Sequence, residues 1–155
     1  MTAMNDPQPT AGHYVGREHH LPIRVYFEDT DFSGLVYHAN YLRYFERARS
    51  DMLRCLGIDQ KAAFDDGQGV YAVAELTIKY RSPARYDDAL MIISTVETIR
   101  AASCLIHQRV MRGAQLLAQA TVTAAFLSPA GKPRRQPVPW VTAFENLLKN
   151  QGRPV

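Results

Sequence analysis

The most regular pattern of apolar and polar positions lies between residues 39 and 57. Apolar side chains recur there every three or four positions, at Tyr41, Leu42, Phe45, Ala48, Met52, Leu53 and Leu56. This spacing predicts one amphipathic helix of four to five turns. Asn40 suits the start of such a helix, and Gly57, directly after the last apolar residue, suits its end.

A period of two replaces the helical period in the second half of the chain. It predicts strands at 70–81, 89–99, 103–111 and 114–127, and a shorter apolar run at 21–27 predicts another. The last three strands are joined by the short segments "RAA" and "RGA", which leave no room for a crossover, so they should pair antiparallel as a meander. A turn-rich loop at 128–139 and a short helix at 140–150 complete the prediction.

This order of elements predicts an α+β fold in which an antiparallel sheet wraps around one long central helix. A chain of 155 residues is most simply one domain, able to bury roughly 70% of its unfolded surface. We place that domain at 21–150. Residues 1–20 are polar and rich in Pro, Gly and His, which predicts a flexible tail.

The helix can cover only one face of the sheet. The alternation leaves apolar side chains for the other face, namely Met91, Ile93, Ile99, Leu105 and Met111. An uncovered apolar face favours a partner subunit, so we predict a homo-oligomer, either a dimer or a tetramer.

Composition narrows the setting. Apolar residues make up 46% of the chain and charged residues 21%, which excludes a disordered or fibrous protein. The net charge of +3 is spread along the chain and predicts no nucleic-acid partner. The two cysteines, Cys55 and Cys104, cannot build a disulfide framework. There is no signal-peptide core and no run of membrane-spanning length, so we predict a cytoplasmic protein.

The turn before the helix carries an unusual charge cluster, "FEDTDFSG", with Glu28, Asp29 and Asp31 within four positions. Acidic residues near a helix start can stabilise it through the helix dipole, which is a sufficient reading for Glu28 and Asp29. Asp31 lies nine residues before Asn40, too early for that role. An EF-hand calcium loop fits several positions but lacks the final glutamate and the preceding helix. A metal site of Asp29, Asp31 and His38 has little further support in the sequence.

Catalysis is the remaining interpretation. A carboxylate near a helix N-terminus can attack a carbonyl, or direct water at it, while free N–H groups of the helix hold the carbonyl oxygen. Asp31, then Gly34, then a helix start near His38 provide these parts in order.

The segment "VYFEDTDFSGLVYHANYLRYFERAR" resembles the signature of the 4-hydroxybenzoyl-CoA thioesterase group of hotdog-fold proteins. More narrowly, it resembles the branch of acyl-CoA thioesterases associated with the Tol–Pal cell-envelope system. The segments "KYRSPARYDD" and "GKPRRQP" are also similar to the family, so the resemblance spans about residues 22 to 147. It implies the hotdog fold, in which a sheet surrounds one long helix, and subunits that form dimers and tetramers.

The resemblance also implies roles for particular residues. Asp31 falls on the catalytic carboxylate, acting as a nucleophile or as a base for water, and His38 falls at the helix start that polarises the thioester carbonyl. No cofactor or metal is implied. The branch usually has tyrosine at the position of Phe27, so a hydroxyl group of the family is missing here.

Further residues are candidates for substrate binding. Tyr37, Asn40 and Tyr41 are candidates for the acyl pocket, or for packing and capping of the helix. Arg81 and Arg134 are candidates for the phosphates of CoA, because arginine suits phosphate groups at a pocket mouth. Glu46 is an alternative catalytic acid, although its neighbouring arginines favour an ion-paired surface.

We therefore predict a thioesterase that hydrolyses acyl-CoA, with acyl carrier protein as an alternative carrier. The alternative from another class is a non-catalytic acyl-thioester binding or scaffold subunit linked to envelope lipid metabolism. Only the enzyme requires the carboxylate of Asp31.

Overall fold

The computed structural model describes residues 6–149, which form one six-stranded antiparallel sheet and three helices. The strands are β1 (His13–Val15), β2 (Glu18–Arg24), β3 (Val70–Tyr80), β4 (Ala89–Ile99), β5 (Ser103–Arg112) and β6 (Gln115–Leu127). The helices are α1 (Asn40–Cys55), α2 (Gln60–Asp65) and α3 (Val138–Lys149). The sheet order is β1-β2-β4-β5-β6-β3, with every neighbouring pair antiparallel.

The long helix α1 forms where its apolar period predicted it. It buries one face, and Tyr44, Phe45 and Ala48 on that face are at most 2% exposed. They pack against apolar side chains of β2, β4, β5 and β6. The helix ends before Gly57, whose φ of 77° belongs to the left-handed region that glycine adopts without strain.

The prediction of a flexible tail up to residue 20 is wrong for its last part. Strands β1 and β2 pair as a hairpin, with His13 opposite His20. The buried side chain of β2 in this region is His19, and the hydroxyl group of Tyr14 donates to the carbonyl oxygen of Met52. Histidine and tyrosine concealed the alternation because neither counts as a clear apolar position. Residues 1–5 of the predicted tail, and residue 150 of the predicted domain and terminal helix, lie outside the described residues.

The strand predicted at 21–27 ends at Arg24. The chain then makes a 3₁₀ turn over Phe27–Asp29, in which the carboxylate of Asp29 accepts the N–H of Tyr26 at 2.8 Å. Helix α2 was not predicted, because its six residues are too few to show a period.

Strands β4, β5 and β6 form the predicted meander, and β3 pairs with β6 at the edge of the sheet. One residue assigned to the outer face lies on the inner face instead. A β-bulge between Val96 and Thr98 changes the alternation of β4, so Ile99 pairs with Cys104 and packs on the inner core beside Trp140 of α3.

Candidate active site

The loop between the 3₁₀ turn and α1 presents Asp31. The ends of this loop meet where Thr30 pairs with Val36, and the N–H of Asp31 donates to the carbonyl oxygen of Leu35 at 2.9 Å. Gly34 has a φ of 80°, which makes glycine the residue of choice at this tight reversal. No atom lies within 4 Å of the position where a Cβ of Gly34 would stand, so the loop backbone is open on that side.

The Asp31 carboxylate is ionised at neutral pH. Its Oδ1 accepts the backbone N–H of Ser33 at 2.8 Å and also the hydroxyl group of Ser33. These two hydrogen bonds, with a smaller contribution from the nearby His38 ring, hold the pKa of Asp31 below its usual value. The side chain is exposed, so a ligand can reach it.

The segment that leads into α1 carries hydrogen-bond donors. The N–H of Asn40 donates to the carbonyl oxygen of Tyr37 at 2.8 Å. Among the residues that the structure describes, no acceptor is found for the backbone N–H groups of His38 and Ala39. Because α1 has no side-chain cap, these donors remain available to an oxygen of a ligand.

Tyr80, at the end of β3, holds the helix start. Its hydroxyl group donates to the carbonyl oxygen of His38 at 2.9 Å. Its ring meets the rings of His38 and Tyr41 edge to face, with centroids 6.4 Å and 5.3 Å away. Burial raises the pKa of Tyr80, so this hydroxyl group stays protonated as a donor.

An open cleft of about 400 Å³ connects these groups. Four residues singled out from the sequence line it, namely Asp31, His38, Tyr41 and Arg81. Tyr41 is 3% exposed and its hydroxyl oxygen accepts the N–H of Ala84, so it forms part of the cleft floor. Six further lining residues were not predicted as ligand contacts, namely Ser33, Leu35, Val36, Tyr80, Ser82 and Pro83. All six lie within segments that resemble the family, since the first segment contains Ser33, Leu35 and Val36 and the second contains Tyr80, Ser82 and Pro83.

The other predicted residues lie outside the cleft lining. Tyr37 is exposed, and its ring meets the His38 ring edge to face with centroids 4.6 Å apart. Asn40 is buried, and its amide group donates to the carbonyl oxygen of Asp29 at 2.7 Å, which is a structural contact. Arg134 donates to the carbonyl oxygens of Gly67 and Gln68.

The alternative chemistries find less support in the geometry. Asp29 turns its carboxylate back to its own 3₁₀ turn, and among the described residues Asp29, Asp31 and His38 do not converge as metal ligands. Glu46 forms the expected ion pair with Arg49, in which the carboxylate of Glu46 is exposed and Arg49 is buried. Phe27 is 82% exposed and does not line the cleft.

A more enclosed cavity of about 90 Å³ lies under the C-terminal half of α1, with Leu53, Val96 and Phe144 in its walls. It is largely apolar and lies away from the helix start. The Asp31 cleft therefore has the stronger claim to chemistry, because it combines an ionised carboxylate with His38, whose backbone N–H has no acceptor among the described residues.

Comparison with known proteins gives a consistent result. A family model described as the thioesterase-like superfamily matches residues 25–147. The acyl-CoA thioesterase YbgC of Haemophilus influenzae is 41% identical over 128 residues, which cover 82% of this chain and 94% of that protein. The acyl-CoA thioester hydrolase YbgC of Escherichia coli O6:H1 is 38% identical over 126 residues, covering 80% and 93%.

Solved structures include a similar fold. A probable thioesterase from Bartonella henselae superposes with a TM-score of 0.74 at 36% sequence identity. The match covers 77% of this chain and 99% of that chain.

Proposed function

The chain belongs to the thioesterase-like superfamily and is a thioester hydrolase with the predicted α+β hotdog fold, and from this premise we propose that it hydrolyses acyl-CoA thioesters in the Asp31 cleft. The products would be a free carboxylic acid and the thiol of CoA. Acyl carrier protein is a second thioester carrier to which the same chemistry applies. The relatives named above motivate the acyl-CoA substrate.

The observation that carries this proposal is the shared cleft of Asp31 and the start of α1. An ionised carboxylate can attack the thioester carbon or take a proton from an attacking water molecule. The negative charge that develops on the carbonyl oxygen would be held by the free N–H groups of His38 and Ala39, at the positive end of the helix dipole.

Two routes are compatible with this arrangement. In the first, Asp31 displaces the thiolate and forms a mixed anhydride, which water then hydrolyses. In the second, Asp31 accepts a proton from water while the water oxygen attacks the thioester. A single turnover in ¹⁸O-labelled water separates them, because hydrolysis of the anhydride at the Asp31 carbonyl leaves the label in that side chain.

Residues around the cleft take supporting roles in this proposal. The side chain of His38 orients the substrate or assists proton transfer, and Tyr80 positions the helix start through the His38 carbonyl group. Arg81 lies at the cleft with no ion pair among the described residues, which supports a role in binding CoA phosphates. We do not extend that role to Arg134, because backbone carbonyl groups occupy its guanidinium group.

We also propose that the protein works as a homo-oligomer. Strand β3 is 11 residues long and lies at the edge of the sheet, with β6 on one side only. A long free edge is a template for pairing with a second chain. Antiparallel pairing of β3 with the same strand of a partner would extend the sheet and bring a second subunit toward the Asp31 cleft, since Tyr80 and Arg81 lie at the end of that strand.

A cytoplasmic location is part of the proposal. The free cysteines Cys55 and Cys104 are compatible with a reducing compartment. Across residues 6–149, no helix is both long and apolar enough to cross a membrane.

The decisive variant is Asp31→Asn. It keeps the size of the side chain and removes the negative charge, so we expect turnover of acyl-CoA to fall by about 10²–10⁴-fold while binding of the substrate is retained. Steady-state hydrolysis across a panel of acyl-CoA substrates, with calorimetric binding of a non-hydrolysable acyl-CoA analogue, measures both properties.

Asp65→Asn is the matched control, since Asp65 lies on the surface in an ion pair with Lys61 and should not affect turnover. Hydrolysis at the wild-type rate by Asp31→Asn would contradict the proposal. Binding without turnover in the wild-type protein would favour the scaffold alternative.

A further inference from the structure

A second cluster of polar side chains lies on the far end of α1 from the Asp31 cleft. It consists of His19 of β2 with Asp51 and Cys55 of the last turns of α1. Nε2 of His19 lies 2.7 Å from Oδ2 of Asp51, and Sγ of Cys55 lies 3.6 Å from the same oxygen. Within the described part of the chain, this is the grouping of three whose ligand atoms all lie within 4.8 Å of one another.

The backbone of Gly12 completes the surroundings of the cluster. Its N–H donates to Oδ2 of Asp51 at 2.8 Å, and its carbonyl oxygen lies 3.5 Å from Sγ of Cys55. A Cβ at Gly12 would stand 2.8 Å from both Oδ2 of Asp51 and Nε2 of His19, which would force an adjustment. The close approach of the chain therefore depends on glycine at this position.

Two of the separations between the donor atoms match those of tetrahedral zinc coordination. Bonds of about 2.3 Å to sulfur and about 2.1 Å to oxygen place two ligand atoms about 3.6 Å apart around a tetrahedral ion. The distances from Sγ of Cys55 to Asp51 and to the Gly12 carbonyl oxygen, 3.6 Å and 3.5 Å, are close to this value. The contact between His19 and Asp51, 2.7 Å, has to widen by roughly 0.6 Å to accept an ion.

We propose that His19, Asp51 and Cys55 bind a divalent cation of the zinc class, with the carbonyl oxygen of Gly12 as the fourth ligand. The donor set of one imidazole nitrogen, one carboxylate oxygen and one thiolate sulfur favours zinc over magnesium or calcium, which prefer oxygen alone. The ion would connect the segment before β1 and strand β2 to the end of α1.

Two protons move when the ion binds. Cys55 loses its thiol proton to solvent, and the proton on Nε2 of His19 moves to Nδ1 so that Nε2 can bind the ion. Nδ1 of His19 is buried with no hydrogen-bond partner in the described structure, so the proton that moves there has no acceptor, and the ion takes the place of the hydrogen bond between Nε2 and Asp51. Partial desolvation of the thiol, together with the charge of Asp51, raises the pKa of Cys55 to about 11. The ion must therefore displace the thiol proton at neutral pH, and about one proton should be released from Cys55 per ion bound.

The accessibility of the cluster suits reversible binding. His19 is fully buried, Asp51 is partly buried and Cys55 is exposed. An ion can therefore enter from the solvent at Cys55 while the other two ligands are held in place by the fold.

The test is a titration of the metal-free full-length protein with Co²⁺, which reports thiolate ligation as a charge-transfer band in the near ultraviolet. We expect one equivalent of Co²⁺ to bind with this band, Zn²⁺ to displace it, and Zn²⁺ to raise the melting temperature by several degrees. Absence of the band, or binding by oxygen and nitrogen ligands alone, would overturn the proposal and leave the cluster as a hydrogen-bonded clamp.

Two pairs of variants make the test specific. Cys55→Ser should remove the band and weaken binding by about tenfold or more, whereas Cys104→Ser should retain both, because the buried thiol of Cys104 lies on β5 and donates to Gln136. His19→Gln should abolish binding, whereas the adjacent variant His20→Gln should not. If His19→Gln fails to fold, the exposed Cys55 still decides the result. A band that survives in Cys55→Ser, or is lost in His20→Gln, would assign the ion to other groups.

Discussion

At the scale of single residues, the chemistry of the cleft depends on how the Asp31 carboxylate is held. Ser33 donates to it through both its backbone N–H and its hydroxyl group. Both donors favour the charged form of the carboxylate, so the pKa of Asp31 lies below its usual value. The carboxylate that we propose as nucleophile or base is therefore ionised over the whole neutral range and becomes protonated only in acid.

A change of Ser33 should move the acidic limit of activity. In Ser33→Ala the hydroxyl donor is lost and the backbone donor remains, so the pKa of Asp31 should rise toward its usual value. Because the proposed mechanism requires the ionised form, we expect the acidic limb of the pH profile of kcat/KM to move to higher pH, with activity near pH 7 changed less than at the limb. The measurement is kcat/KM across the acid range in which the protein remains folded.

Ser50→Ala is the control for this experiment, since Ser50 lies on α1 and donates to Glu46, not to Asp31. An acidic limb in Ser33→Ala that coincides with that of the wild type would show that Asp31 does not set it.

At the scale of secondary-structure elements, α1 is joined to the sheet by a buried polar network as well as by apolar packing. The amide nitrogen of Gln108, on β5, donates to the carbonyl oxygen of Phe45 and to the hydroxyl group of Ser94. The amide oxygen of Gln108 accepts a hydrogen bond from the guanidinium group of Arg49 at 2.9 Å. Gln108 is fully buried and Arg49 is 8% exposed, so each group relies on the others for its hydrogen bonds.

Removal of Gln108 should destabilise the fold. Gln108→Ala leaves Arg49 buried with one partner fewer and leaves a small cavity, so we expect the free energy of unfolding to fall by about 2–4 kcal/mol. Denaturation by urea, followed by circular dichroism, measures this change.

Gln119→Ala on β6 is the matched control, because Gln119 is partly exposed and its substitution should change the free energy of unfolding by less than about 0.5 kcal/mol. Equal stability of the two variants would mean that the network contributes no net stabilisation.

At the scale of the whole molecule, the two edges of the sheet differ. Strand β1 has three residues, which gives little backbone for pairing, whereas β3 has 11. Both edge strands carry an exposed valine. Val73 lies on β3 next to its bulge and is 47% exposed, and Val15 lies on β1 and is 46% exposed. The edge formed by β3 is therefore the better candidate for contact with a second subunit.

A lysine on the β3 edge should oppose assembly. We expect the wild-type protein to have at least twice the mass of one chain, which is 17.5 kDa. The mass of Val73→Lys should shift toward that of a single chain, because a charge on an edge strand discourages pairing. Light scattering coupled to size-exclusion chromatography measures the mass. Val15→Lys is the control at the opposite edge and should assemble as the wild type does, and a monomeric wild-type protein would refute the assembly proposal.

The helix and most strands could be predicted from the sequence because their signals are local. An apolar period identifies an amphipathic helix or a half-buried strand from neighbouring residues alone, and this was sufficient for α1 and for the meander of β4, β5 and β6. The signature around Asp31 likewise pointed to the carboxylate and to the helix start, because the loop and the first turn of α1 are adjacent in sequence. The structure brings Asp31, His38, Tyr41 and Arg81 to one cleft.

The remaining features depend on contacts between distant segments. Tyr80 reaches the carbonyl group of His38 across 42 positions, and His19 is buried against Asp51 across 32. Arg134 donates to the backbone carbonyl oxygens of Gly67 and Gln68, which lie far from it in the sequence. The residues next to Arg134 in the sequence could therefore not indicate this contact. An apolar period states which side of an element avoids water, but not which element covers that side. Only the tertiary packing therefore decided the pairing of β3 with β6, the approach of Tyr80 to the start of α1 and the cluster at the end of α1.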